Sequence, residues 1–124
     1  MMKQSESFSN KTLSLEVHDG TDDISIYWKG KSTEREPGIF LNPILSEALE
    51  RGLKENKKII MDFQQLEFMN SSTVTPVAKM LEKGKENKNK ITIFYSRGKK
   101  WQELSFSALR VFETGDNNII IIGN

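Results

Sequence analysis

The apolar positions along this chain fall into two rhythms, and their order predicts the fold. From Thr12 to His18, Leu13, Leu15 and Val17 alternate with Thr12, Ser14, Glu16 and His18, the period of a half-buried strand. Asp19 to Asp23 has turn composition around Gly20, and Ile24, Ile26 and Trp28 then alternate with Ser25, Tyr27 and Lys29. These two runs predict a β-hairpin. A charged stretch, Gly30 to Gly38, leads to Asn42-Pro43, which reads as an N-cap followed by proline at the first helical position. Leu45, Leu49 and Leu53, with Ile44 and Ala48 beside them, form one stripe, while Glu47, Glu50, Arg51 and Lys54 point away.

Ile59-Ile60-Met61-Asp62-Phe63 is short and almost continuously apolar, the pattern of a central strand covered on both faces, with Asp62 as its exception. Val74, Val77, Ala78 and Leu81 mark a second amphipathic helix that fades through Lys83 to Lys90. Its start is ambiguous: Thr75 as cap puts Pro76 at the first helical position, whereas Ser72 as cap leaves the proline to distort the opening turn. Ile91 to Tyr95 reads as a strand, Trp101 to Phe112 as a third helix with Leu104, Ala108, Val111 and Phe112 inward, and Ile119 to Ile122 as a last strand. The order β-β-α-β-α-β-α-β predicts an α/β fold with a mixed sheet, its last three strands parallel through right-handed crossovers.

At 124 residues the chain is long enough for one domain with a core of its own. Residues 1–10 lack a periodic pattern and read as a flexible tail, leaving 11–124 as a single domain. Eighteen Lys and Arg against seventeen Asp and Glu leave a formal charge of +1, so no general field draws the chain to nucleic acid or an anionic membrane. Without cysteine there is no disulfide framework, thiolate nucleophile or Cys-based metal site. No stretch has the composition of a secretion signal or the length to span a bilayer, and a cytoplasmic location is expected.

Chemistry-bearing motifs are few. His18 is the sole histidine and lies on a polar strand face, which argues against histidine catalysis or a His-rich metal site. Gly98-Lys99-Lys100 lacks the upstream glycine spacing and the following Ser or Thr of a phosphate loop. Asp22-Asp23, and Glu34 with Glu36, fall in turn or loop composition and read as solvated surface. Lys83, Lys85, Lys88 and Lys90 lie near a helix C-terminus, where cations suit the dipole. Trp101 reads as a core anchor. No nucleophile-base pair, metal ligand set or cofactor fingerprint emerges, so no enzyme, metal or cofactor is expected.

The distinctive segment is Phe68-Met69-Asn70-Ser71-Ser72-Thr73, which places two serines between a buried strand and a helix. A hydroxyl there lies beside unpaired N–H groups at the positive end of a helix, where a phosphate is tolerated. The same residue types also serve simply as N-caps.

From Lys57 onward, the strand bearing Asp62, the Phe68 to Ser72 segment, the amphipathic helix and the next strand resemble the STAS domain, a family that includes bacterial anti-sigma factor antagonists and the cytoplasmic tails of sulfate transporters. Trp101-Gln102 with Ser105 and Leu109 is similar to a segment of certain STAS-like bacterial proteins. In the antagonists the loop reads Asp-Ser-Ser/Thr-Gly, and a GHKL-type serine kinase phosphorylates its first serine. By position the resemblance implies Ser71 as phosphoacceptor, with Ser72 as the alternative. It implies a partner-binding surface of Asn70, Ser71, Ser72, Thr73 and Thr75, with a kinase or anti-sigma factor and a PP2C-type phosphatase as partners. Here Asn70 replaces the family's acidic residue and Thr73 its glycine. A scaffold with the same fold but no phosphorylation, or a small-ligand or nucleotide module built on the helix N-terminus, are the competing readings.

Overall fold

The computed structural model describes residues 4–124. Its elements run β1 (Gln4–Asn10), β2 (Leu13–Asp19), β3 (Asp23–Ser32), α1 (Gly38–Lys54), β4 (Lys58–Asp62), β5 (Leu66–Met69), α2 (Ser71–Asn87), β6 (Ile91–Tyr95), α3 (Lys100–Leu109) with a 3₁₀ turn at Arg110–Phe112, and β7 (Ile119–Gly123). The seven strands form one sheet in the order β1-β2-β3-β4-β6-β7, with β5 pairing β3 beyond the end of β4. Strands β1 to β3 are antiparallel, and β3, β4, β6 and β7 run parallel. The expected hairpin and parallel crossovers are therefore present. Among the described residues no helix is long and apolar enough to cross a membrane.

Alternation decides which side of the sheet is buried. Leu13 and Leu15 of β2, Ile26 and Trp28 of β3, Ile59 and Met61 of β4, Ile91, Ile93 and Tyr95 of β6, and Ile119 and Ile121 of β7 share one parity. They join a single core with Leu41, Leu45 and Leu49 of α1, Val77, Met80 and Leu81 of α2, and Phe106 and Leu109 of α3. All three helices thus pack on the same face. The opposite parity, Tyr27, Ile60, Phe94, Ile120 and Ile122, stays half-buried outside that core. This corrects the expectation that the apolar β4 is covered on both faces.

Other expectations are also revised. Gln4–Asn10 is not a tail: it pairs residue for residue with β2 as the edge strand, while residues 1–3 lie outside the described residues. Its alternation is invisible in the sequence because Phe8 is its one apolar residue. Helix α1 starts one turn before Asn42, so Pro43 lies inside it and Asn42 is an exposed helical residue. The third helix presents Gln102, Phe106 and Leu109 to the sheet, and Leu104, Ala108 and Val111, assigned inward from the periodicity, are exposed. Trp101 is half-buried and packs against the core.

Two contacts explain why the elements close as they do. Gly84 lets α2 approach the sheet: a Cβ there would stand 2.5 Å from Ile91 Cδ1. Buried Gln102 donates through Nε2 to the Phe63 and Leu66 carbonyls (2.6 and 3.0 Å) and accepts from the Ser96 N–H (2.7 Å), tying α3 to the β4–β5 connection. The outer edge of β7 is capped by side chains. Arg110 Nη1 donates to the Ile121 carbonyl at 2.6 Å, the Ile121 N–H donates to Glu113 Oε2 at 2.9 Å, and the Ile119 N–H donates to Thr114 Oγ1 at 3.1 Å. Strand addition at that edge is thereby blocked.

Candidate functional site

Strand β5, absent from the sequence reading, ends at Met69 and hands the chain to α2 through Asn70 alone. Asn70 is the N-cap, with extended backbone, resolving the choice between Ser72 and Thr75 in favour of neither. Its Oδ1 accepts the Thr73 N–H at 3.0 Å, and the Thr73 hydroxyl donates to the same oxygen at 2.6 Å. Its Nδ2 donates to the Glu34 carbonyl at 2.9 Å, and its backbone N–H donates to the Ser32 carbonyl at 3.0 Å. Because the Thr73 proton points to Asn70, the Ser32 hydroxyl, 2.7 Å from Thr73 Oγ1, must be the donor in that pair. Ser32, Thr73 and Asn70 thus form a short polarised chain of hydroxyls and amide, with Ser32 and Thr73 buried.

This wiring accounts for both differences from the STAS loop that the sequence resembles. A carboxylate at position 70 could accept from Thr73, but its second oxygen would oppose the Glu34 carbonyl instead of donating to it. Position 73 lies within helix α2 and is not among the residues of positive φ, so glycine's conformational freedom is not required there. Thr73, counted on the partner surface from the sequence, is fully buried and is corrected to a structural member of the site.

Ser71 is exposed at the first helical position, Ser72 half-buried at the second, and Thr75 exposed one turn on. The Ser71 and Ser72 amides find no hydrogen-bond partner among the described residues, as expected of the first turn. Pro76, the sixth residue of α2, lacks the N–H that would meet the Ser72 carbonyl, leaving that acceptor free of a ladder bond. The opening turn of α2 therefore presents unpaired polar backbone around an exposed hydroxyl. Two apolar side chains stand on the same end of the sheet: Phe68, two residues before the cap, is 44% exposed, and Ile39 in the first turn of α1 is 76% exposed. Between the helices, Asn42, Leu45, Pro76, Lys79, Met80 and Lys83 line part of a groove of about 370 Å³.

At the opposite end of α1, Asp19 receives Lys57 Nζ at 2.6 Å and Arg51 Nη1 at 2.8 Å. Burial alone would raise the Asp19 pKa, but these two cations outweigh it and hold the carboxyl below its usual value. His18 lies edge-on to Tyr27, 5.3 Å between ring centres, at the surface. No group of three or more His, Asp or Glu side chains suited to a metal ion occurs among the described residues.

The arrangement is that of a STAS-like α/β fold: a mixed sheet opened by a hairpin, helices on one face, and a serine pair in the opening turn of the second helix, behind the Asn70 cap and the short strand β5. No protein-family model matches the chain and no curated relative does. Among solved structures, SiaC of Pseudomonas aeruginosa matches with a TM-score of 0.65 at 10% identity, over 98% of this chain and 99% of that one. At this identity the likeness establishes a shared fold.

Local sequence revealed the serine pair and its helix. It missed Ser32, Glu34 and Gln102, whose partners lie 41, 36 and up to 39 residues away. The one signal for Gln102 was a polar residue at a helix position whose i+4 and i+7 neighbours, Phe106 and Leu109, are apolar.

Proposed function

We propose that this chain is a non-enzymatic regulatory module that binds a protein partner through residues 70–75, read as a loop from the sequence and formed in the structure by the Asn70 cap and the opening of α2, switched by phosphorylation of Ser71. The observation that carries the reading is the division of labour at the start of α2: Asn70 and Thr73 are fully committed to the buried relay, while Ser71 between them is exposed and uncommitted. A kinase needs an accessible hydroxyl, and the fold keeps this one accessible without loosening the helix. The unpaired Ser71 and Ser72 amides and the positive helix end suit a phosphoryl group within the monomer. At an interface, the same group brings about −1.5 to −2 charges that must be desolvated, so it opposes partner binding. Exposed Phe68 and Ile39, at the same end of the sheet, supply apolar anchors for the unmodified state.

By resemblance, the modifying enzymes are a GHKL-type serine kinase and a PP2C-type phosphatase, and the requirement for ATP fits the cytoplasm. Ser72, half-buried, is the secondary acceptor. Incubation with the kinase and ATP should add one phosphate by intact mass, and Ser71→Ala should abolish it. Ser71→Asp should lose partner binding while melting like the parent. Equal partner affinity for the parent and Ser71→Asp would reject the switch and leave a scaffold of the same fold.

A further inference from the structure

The two outer edges of the sheet are finished differently. At β7 the outward backbone groups of Ile119 and Ile121 are taken by Thr114, Glu113 and Arg110. At β1 they are left bare, and the hairpin fixes which ones these are. The Thr12 carbonyl accepts the Lys31 N–H at 3.0 Å, so Thr12, Ser14 and Glu16 turn their backbone toward β3 while Leu13, Leu15 and Val17 turn theirs toward β1. Asn10, Phe8 and Glu6 stand opposite those three and bond to them. Ser5, Ser7 and Ser9 therefore direct N–H and C=O away from the sheet. All three are exposed, and among the described residues no group bonds to their backbone. The strand also lacks the devices that protect an edge: Gln4–Asn10 has no proline, no lysine and no bulge.

Such an edge takes an extended chain, and β1 supplies its own match. Laid antiparallel on a second copy with Ser7 on the two-fold axis, all 7 residues of the strand overlap. Ser7 meets Ser7 of the second copy and Ser5 meets Ser9, so bare groups pair with bare groups in about six backbone bonds. On the helix side, Glu6 meets Phe8 of the second copy. Phe8 is the one apolar residue of β1 and is half-buried. Glu6 lines a pocket of about 110 Å³ between β1 and α1, whose walls include Val17, Ile24, Ile44 and Ala48. This register thus brings an apolar ring to the rim of an apolar pocket. The charged groups of that pocket are Glu6, Glu47 and Arg51. Arg51 is engaged by Asp19 and Glu47, which leaves Glu6 as the charge to be placed. Moving the axis to Glu6 would set two carboxylates directly opposite each other, and moving it to Phe8 would shorten the ladder.

We propose that a second copy of this chain adds to β1 as an antiparallel strand, giving a two-fold symmetric dimer with one sheet continuous across both copies. The interface is isologous and the β7 edge is blocked, so it yields dimers and not filaments. One strand edge is a small contact, so the dimer is reversible and concentration-dependent. Ser71 takes no part in it, and its test does not depend on phosphorylation.

Sedimentation velocity of the full chain, from low micromolar to near-millimolar concentration, should show a monomer–dimer equilibrium. Over the same range, hydrogen exchange of the Ser5, Ser7 and Ser9 amides should slow, while the Glu6 and Phe8 amides, already bonded to β2, stay unchanged. Ser7→Pro removes an N–H that β2 does not use. It should weaken the dimer by about tenfold or more with little change in the thermal melt. The absence of cysteine allows a register test that leaves every backbone donor in place. Under oxidation, Ser7→Cys chains should cross-link to one another, and Ser5→Cys chains should link to Ser9→Cys chains in excess of either homodimer. A monomer at every concentration, a dimer indifferent to Ser7→Pro, or Ser5→Cys self-linking ahead of the mixed pair would each overturn the proposal.

Discussion

Helices α1 and α2 start at the same end of the sheet, are both seventeen residues long, and both carry proline as their sixth residue, yet they begin differently. Helix α1 starts from Pro37 with no side-chain cap: the Phe40 and Leu41 amides simply bond back to the Pro37 carbonyl. Helix α2 starts from Asn70 with three side-chain bonds at the cap and a buried hydroxyl behind it. The comparison teaches that elaborate wiring is not what this chain needs to begin a helix. At α2 the wiring fixes the helix start against Ser32 at the end of β3 and Glu34 just beyond it, so that the exposed Ser71 has a defined position. The far end of α1 is held by charge instead, through Arg51 and Lys57 on Asp19.

The largest test of this contrast is Thr73→Val, which keeps shape but strands the Ser32 hydroxyl in the interior. A loss of about 1–3 kcal/mol is expected in denaturant unfolding, and a neutral result would mean that the relay contributes nothing to the α2 start. Asn70→Asp is next. Asp and Asn are equally good N-caps in general, so a loss of about 1–2 kcal/mol would report the missing donor to Glu34. A gain would show that the dipole outweighs that bond.

Acid should separate the two anchors. The Asp19 pKa is depressed in the folded state, so its contribution is complete above the unfolded value of about 3.8 and is lost as pH falls through the lower folded value. Asp19→Asn should therefore lower Tm at pH 7, and the gap from the parent should narrow below about pH 3.8. The Thr73→Val gap should persist, because none of its partners titrates there; a gap that also closes in acid would contradict the neutral relay. Smallest is Asn42→Ala. If Asn42 were the α1 cap, its loss would cost about 1 kcal/mol; as an exposed helical residue it should be neutral or raise stability by up to about 0.5 kcal/mol.

Much of the fold was legible because alternation and helical period are local and strong. The hairpin, the parallel strands and the helix stripes of α1 and α2 follow from local spacing, except that Leu53, placed in the α1 stripe by its period, is 47% exposed in the last turn of that helix. The serine pair was legible as a polar break before an amphipathic run, but the structure places both serines in the first turn of α2, after the unforeseen strand β5, with Ser71 exposed and Ser72 half-buried. The cap was legible only as a choice among nearby Asn, Ser and Thr residues, since each can close the same local ring.

What tertiary structure decided has a common physical form: a local pattern with two solutions, broken by a partner far along the chain. Trp101 to Phe112 offers two apolar stripes, and period says that stripes exist without saying which one meets the sheet. Gln102 settles it, because carbonyls from the β4–β5 turn supply its buried partners and rotate Leu104 and Val111 into water. Gln4–Asn10 carries a single apolar residue, Phe8, too little to announce a strand, and the open edge of β2 gives its backbone somewhere to bond. The sequence by itself determined where strands and helices could form and where a free hydroxyl would sit. Only the closed sheet decided which faces are covered, because that depends on hydrogen bonds between residues that no window of neighbours contains.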